Sequence, residues 1–295
     1  MVRLIILLGL SLLISAKNRI EEQRKYSPTT STDFPRERFL VGNFRFHPHD
    51  LYYATDIYFA DKNERLSLAG LGLRLRKVQK GKLEPQYVLQ LKTEMELPGS
   101  PRIEEEDRDL VQQKIEGVSI ISIIDRISEN KKITELDARL LNAWMERKAG
   151  SSLAPFQELR RRKISAKELF PVVFGLSNRQ RYHILVDRKE KISELIMLND
   201  SEKNPLLVPA IFSSNSQWIW LMEASWDESR FYNQSGLGQP LLIQELEIEN
   251  KYRPREMGTK LMNQLEAQLI PKFNFSLGRE SKFIRAHKHF KEQVP

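Results

Sequence analysis

The segment LLIQELEIEN (241–250) alternates Glu245, Glu247 and Glu249 with Leu246 and Ile248. In an extended strand alternate side chains share a face, so three carboxylates line up opposite Leu242, Leu246 and Ile248. Like charges this close repel, and the row needs either solvent or a cation. The same alternation recurs along the chain. Arg74 and Arg76 oppose Leu73 and Leu75, while Gln90 and Lys92 oppose Tyr87, Leu89 and Leu91. Arg102, Glu104 and Glu106 line up, as do Arg179, Arg181 and His183 opposite Tyr182, Ile184 and Val186. Glu223, Ser225 and Asp227 oppose Trp218, Trp220 and Trp226.

Two arrangements fit these rows. An antiparallel sheet with one wet face carries mixed charges without further purpose. A sheet curved into a barrel instead turns its apolar faces out to helices and its charged faces inward. An ionic interior is tolerable only when its charges are paired or met by a ligand. Arginine and lysine rows make charge-assisted bonds to phosphate oxygens. Carboxylate rows hold hard divalent cations such as Mg²⁺ or Mn²⁺. A polyanion chelated to a divalent metal calls for both in one cavity, where metal and arginine together could polarise a terminal phosphoryl group.

The elements that would position these rows are short alternating runs. Strands are predicted at 20–28, 51–60, 70–78, 85–95 and 101–107, then at 178–187, 218–227 and 241–250. Between the two sets the period changes. Val111, Ile115 and Val118, then Leu136, Leu140 and Trp144, follow helical spacing, so residues of about 108–172 read as a helical segment. Thr134 with Asp137, and Ser165 with Glu168, resemble N-terminal caps. Residues 29–40 read as a loop running into a helix, and a last helix begins near Pro254 with Met257, Leu261 and Leu265 on one face. Strands, helices, strands and a helix make an α+β chain.

The 295 residues carry a net charge of +8, with 40% hydrophobic and 29% charged residues, a globular composition able to bury a sizeable core. A basic surface attracts anions: nucleic acid, acidic lipid or phosphorylated small molecules. Met1 to Arg3 precede an apolar run of eleven residues, Leu4 to Ile14, and then Ser15 and Ala16. That layout predicts a signal peptide over residues 1–16 and an exported chain, with membrane attachment only if the signal stays uncleaved. With no cysteine, disulfides, thiolate chemistry and cysteine-bound zinc are excluded. The pairs His47/His49 and His287/His289 have zinc-like spacing but read more simply as loop and tail. Arg160 to Lys163 reads as a solvated helix face, and the tryptophans as core rather than a base-stacking platform.

In order and spacing over most of residues 20–290, these motifs resemble the CYTH domain, the triphosphate tunnel metalloenzymes. Glu21, Gln23 and Lys25 stand where that family has its E-x-E-x-K strand. TDIYFADKN (55–63) is similar to its "DTYFDT" strand, and Leu73–Arg76 and Leu89–Lys92 match its "LRxR" and "LxLK" strands. Arg102, Glu104 and Glu106 match R-x-E-x-E, and Arg179 or Arg181 matches an arginine opening the second half. Asp227 ends a strand as the family's aspartate does, ELEIE supplies the acidic strand, and Ser281-Lys282-Phe283 matches a late S-K-[YF].

The resemblance implies an antiparallel β-barrel, or tunnel, with flanking helices and a helical segment between two strand sets. It implies one such domain over 17–290, followed by a short tail, 291–295. It assigns phosphate binding to Lys25, Arg74, Arg76, Lys92, Arg102, Arg179, Arg181 and Lys282. Metal binding by Mg²⁺ or Mn²⁺ falls to Glu21, Gln23 and two of Glu245, Glu247 and Glu249. Asp227 would position water, and Glu104 or Glu106 would hold a second metal or bind through water. The implied partner is a triphosphate-bearing small molecule or polyphosphate, with nucleic acid the weaker expectation. The implied activity is triphosphate hydrolysis, or anion binding without catalysis. The chain departs from the family at Gln23, which lacks the charge of the carboxylate it replaces.

Overall fold

The structure is a computed structural model that describes residues 20–93, 104–106, 111–114, 118–187, 218–236, 239–250, 255–278 and 280–292. The predicted signal, Arg102 and the segment 188–217 lie outside them. Eleven strands run in chain order: β1 (Ile20–Pro28), β2 (Phe39–Val41), β3 (Phe44–Ala60), β4 (Leu71–Lys80), β5 (Gln86–Thr93), β6 (Glu104–Glu106), β7 (Val111–Lys114), β8 (Phe170–Asp187), β9 (Trp218–Asn233), β10 (Leu241–Asn250) and β11 (Phe275–Leu277). The helices are α1 (Arg65–Leu68), α2 (Val118–Asn130), α3 (Glu135–Lys148), α4 (Ala154–Arg161), α5 (Arg255–Phe273) and α6 (Lys282–Lys291). The strands form one sheet in the order β11-β1-β10-β9-β8-β3-β4-β5-β7, with β2 on β3 and β6 on β1. Every pairing is antiparallel.

The architecture is α+β, with helices α2–α4 between the two strand sets. Among the described residues no ladder joins β5 or β7 to β1 or β6. The predicted barrel is therefore a strongly curved open sheet. Its curvature is evident because side chains of β1, near one end, and of β5, near the other, line the same cavity.

Alternation decides which face each residue takes. Ile57, Leu73, Leu75, Leu89 and Leu91 point outward and pack against Ile120, Ile123, Ile124 and Ile127 of α2 and Phe156 and Leu159 of α4. Leu246, Ile248, Trp226, Tyr182 and Tyr26 also point outward, under Leu261, Met262, Leu265 and Leu269 of α5. Each fully buried side chain of this size contributes about 1.5–3 kcal/mol. These outer layers therefore hold the sheet curved around a charged inner face. Trp226 stacks on Phe34 with ring centroids 4.8 Å apart, which makes it core as anticipated; the side chains of Trp218 and Trp220 lie outside the description.

Several local expectations change. Residues 111–114, read as helical, form β7, because in Val111–Lys114 the backbone pairs with Val88–Leu91 of β5. Residues 29–38 contain no helix and lead directly into β2. Thr134 and Asp137 do form a reciprocal capping box on α3. Ser165, by contrast, makes no side-chain cap and precedes a single 3-10 turn, Ala166–Glu168. On α3 the buried face is Ala138, Leu141, Trp144 and Met145, while Leu136 and Leu140 are exposed. His47 and His49 sit in β3 rather than a loop, and His287 and His289 belong to α6 rather than a tail. On α4, Arg161 and Arg162 turn back to Glu158, at 2.5 and 2.6 Å.

Candidate functional site

Register brings the charged rows together. Lys25 lies opposite Glu247, and Gln23 opposite Glu249. Glu245 lies opposite Asp227, and Asp227 opposite Arg179. On the other wall Asp56 faces Arg76, Tyr58 faces Arg74, and Arg74 faces Gln90. All these side chains line one cavity of about 610 Å³ on the concave face. Seven cations (Lys25, Arg74, Arg76, Lys92, Arg179, Arg181 and Lys282) share it with five carboxylates (Asp56, Asp227, Glu245, Glu247 and Glu249). The cations exceed the carboxylates by two, which suits a polyanion.

One end of the cavity is apolar. Tyr58 stacks on Phe283 of α6 with centroids 4.6 Å apart, and Phe231 packs beside them with Ala286 and Phe290. Gly175 serves this end: a Cβ there would stand 2.7 Å from the ring of Phe231. Beyond Ser177, the inward positions of β8, Arg179 and Arg181, carry the charge.

The buried carboxylates cluster. Oxygens of Asp227, Glu245 and Glu247 lie within 4.8 Å of one another. Asp227 and Glu245 are each 1% exposed and Glu247 7%. An all-oxygen donor set of this kind fits a hard divalent cation such as Mg²⁺ or Mn²⁺. Of the two glutamate pairs left open by ELEIE, Glu245 and Glu247 join Asp227, while Glu249 lines the cavity opposite Gln23. Asp227 thus sits inside the acidic cluster, opposite Glu245.

Basic side chains neutralise the cluster. Arg179 reaches Asp227 through two bonds of 2.6 and 2.5 Å and Glu247 at 3.0 Å. Lys282 binds Asp227 and lies 3.5 Å from Glu245, and Arg285 binds Glu245. Burial alone would raise Asp227 and Glu247, but Arg179 and Lys282 hold both below the usual carboxylate range. Burial keeps Glu245 above it, helped by the neighbouring Glu247 charge.

On the opposite wall Arg76 holds Asp56 at 2.5 and 2.7 Å, and Arg74 lies 3.6 Å from it. Burial would raise Asp56, and Arg76 with Arg74 brings it down. Arg74 also bonds Gln90 at 2.7 Å and Tyr58 at 3.1 Å.

Toward the other end a ring of polar contacts holds Arg181. Arg181 donates to Tyr52 at 3.2 Å, Tyr52 donates to Asp50 at 3.1 Å, and Arg181 also pairs with Glu223. His49 stands between Asp50 at 3.2 Å and Glu223 at 3.5 Å, and its ring stacks on that of His183 with centroids 3.9 Å apart. Burial lowers the His183 pKa to about 4, with His49, His47 and Arg181 adding to the shift. The unfolded chain protonates His183 near 6.5, whereas the folded chain waits until about 4. Stability from this group is therefore complete above pH 6.5 and lost as pH falls toward 4. Between pH 7 and pH 5 we expect a loss of roughly 2 kcal/mol. Urea unfolding at the two pH values checks it: His183→Phe should reduce the loss by about that amount, and His47, His49 and His287, which burial also lowers, account for further loss in both proteins. An equal loss in the variant would take His183 out of this role.

The candidate residues divide as follows. Gln23, Lys25, Arg74, Arg76, Lys92, Arg179, Arg181, Asp227, Glu245, Glu247, Glu249 and Lys282 meet in one cavity. Glu21, Glu104 and Glu106 lie where β1 pairs β6, Glu22 opposite Glu104 and Ile20 opposite Glu106, with side chains outside the description. Arg102 lies outside the described residues. Sequence reasoning gave no role to Asp56, Tyr52 and Arg285, and placed Glu223 only in an alternating row. For Asp56 a signal existed: it sits between Ala54 and Tyr58 on the inward period of β3. Arg285 offered none, because its role needs α6 folded onto the sheet.

No family model matches the chain, and no curated protein does. Solved structures do match. A protein of Pyrococcus horikoshii aligns at 13% identity and a TM-score of 0.41, over 89% of this chain and 96% of its own. An adenylyl cyclase candidate of Hippeastrum, described as having a dominant triphosphatase activity, aligns at 12% identity and a TM-score of 0.44, over 92% and 96%. An adenylate cyclase candidate of Bacillus halodurans aligns at 13% identity and a TM-score of 0.43, over 91% and 97%. Values this low leave the reading of the cavity to its own geometry.

Proposed function

We propose that the chain binds a triphosphate or polyphosphate anion together with Mg²⁺ or Mn²⁺ in this cavity and hydrolyses a terminal phosphoryl group, as the resemblance to the CYTH domain implies. One observation carries the reading: seven cations and a buried carboxylate trio share a single pocket on one face of a curved sheet. Arg74, Arg76, Lys92 and Lys25 offer bonds to phosphate oxygens from three strands, which fixes a flexible chain of phosphates in one orientation. Asp227, Glu245 and Glu247 would hold the metal, which would supply Lewis-acid polarisation of a phosphoryl oxygen. Arg179 bridges Asp227 and Glu247 and lines the cavity beside them, where it can stabilise charge as it develops on the transferred group.

A second reading is favoured by one residue. Gln23 lines the cavity without a charge where the family carries a carboxylate, which suits an anion receptor that does not turn over its ligand. Phosphate release from tripolyphosphate by the purified chain, with Mg²⁺, Mn²⁺ or Ca²⁺, separates the two. Metal-dependent release that disappears in Glu247→Gln supports the enzyme. Binding without release in all three metals supports the receptor, and absence of binding rejects both.

A further inference from the structure

The carboxylates that would hold a metal already have cations on them, and two come from one helix. Lys282 and Arg285 lie one turn apart on α6, the first on Asp227 and near Glu245, the second on Glu245. Phe283, Ala286 and Phe290 bury the helix against Tyr58, Val173, Phe231 and Ile243. Ser281 caps its start, accepting from the Ile284 N–H at 3.2 Å. The helix is thus anchored by contacts independent of the charges, so either basic side chain can swing without the helix moving. Lys282 also lines the cavity in which the anion would sit, and its four-carbon stem lets the ammonium exchange partners.

We propose that Lys282 and Arg285 are tethered counter-cations that keep divalent metal off Asp227, Glu245 and Glu247 until an anion draws Lys282 into the cavity. This rests on the metal-and-polyphosphate reading above and adds an order to it: anion first, metal second. An anion binding in the cavity competes for the Lys282 ammonium and takes a counter-charge from the trio. The uncovered trio then has more to gain from a divalent ion. Such coupling is reciprocal, so bound metal raises anion affinity by the same factor. It also leaves the resting site charge-balanced without any metal.

The test titrates the full chain with Mn²⁺ alone, following free Mn²⁺ by electron paramagnetic resonance, in sulfate and in chloride at matched ionic strength. Sulfate serves as the probe anion because it chelates Mn²⁺ only weakly. For the unaltered protein, Mn²⁺ affinity should rise about fivefold or more in sulfate. Arg285→Gln should bind Mn²⁺ about tenfold more tightly than the unaltered protein in chloride and still gain from sulfate, because Lys282 remains to be drawn away. An unchanged Mn²⁺ affinity in sulfate overturns the proposal, and this arm needs no variant to fold. Equal affinity of a folded Arg285→Gln protein also overturns it. Glu247→Gln tests the underlying reading separately: if it retains the Mn²⁺ affinity of the unaltered protein, the trio is not the metal site at all.

Discussion

Replacing Asp227 by asparagine should have three effects together: lower stability of the ligand-free chain, weaker Mn²⁺ binding, and tighter binding of tripolyphosphate in the presence of EDTA. Asp227 is 1% exposed and accepts two bonds from Arg179 and one from Lys282. Asparagine keeps the shape but not the charge. Removing one partner of a buried ion pair costs about 3–5 kcal/mol, and the lower figure is expected here because Glu247 remains 3.0 Å from Arg179. The metal effect follows from losing one of three clustered carboxylates. The anion effect has the opposite sign. With Asp227 neutral the cavity gains a net positive charge, and Arg179 and Lys282 are freer to turn to phosphate. Urea unfolding measures the first effect, and calorimetric titrations the other two. Stability loss with unchanged Mn²⁺ and anion affinities would make Asp227 a structural anchor of β9 and remove it from the site.

Much of this site was legible as period-two alternation, because a strand's face is fixed by parity alone. Parity put Arg74 with Arg76, Arg179 with Arg181, and Glu245 with Glu247 on common faces. The register that set these rows opposite one another was not readable, since it depends on long-range pairing between strands far apart in sequence. Asp56 lies on the readable inward period of β3, but its pairing with Arg76 across β3 and β4 depends on that register. For the same reason parity alone does not choose between Glu245/Glu247 and Glu247/Glu249, whereas the register sets Glu245 opposite Asp227. The misread at Val111–Lys114 has a different cause. Val111, Ile115 and Val118 fall at helical spacing, but the first of them pairs with Leu91, and tertiary pairing overrides a short periodic signal. His47 and His49 looked like loop residues because Pro48 lies between them. The strand accommodates that proline by a register shift between Pro48 and Asp50.

Arg74→Ala and Arg76→Ala should separate affinity from stability, although the two residues share one strand face. Arg74 bonds two neutral groups, Gln90 and the Tyr58 hydroxyl, and lies 3.6 Å from Asp56. Its loss should weaken tripolyphosphate binding by about 1–3 kcal/mol, the scale of a charged hydrogen bond, with a smaller change in stability. Arg76 instead holds Asp56 by two bonds, and Asp56 is 2% exposed. Without it, a buried carboxylate keeps the more distant Arg74 guanidinium and the Lys282 charge, so the folded protein should lose about 3 kcal/mol. Burial would then raise the Asp56 pKa. The sign follows: a carboxylate depressed by its partner stabilises the fold above its unfolded pKa, and that contribution goes when the partner does. Arg76→Ala should therefore show both a lower stability at neutral pH and a flatter decline as pH falls through the carboxylate range. Adding Asp56→Asn to Arg76→Ala removes the unpaired charge and should restore most of the stability while leaving anion affinity low. Urea unfolding and calorimetric titration of the single and double variants test each step. Full affinity in a stable double variant would mean that Arg76 is there for Asp56 alone and never meets the anion.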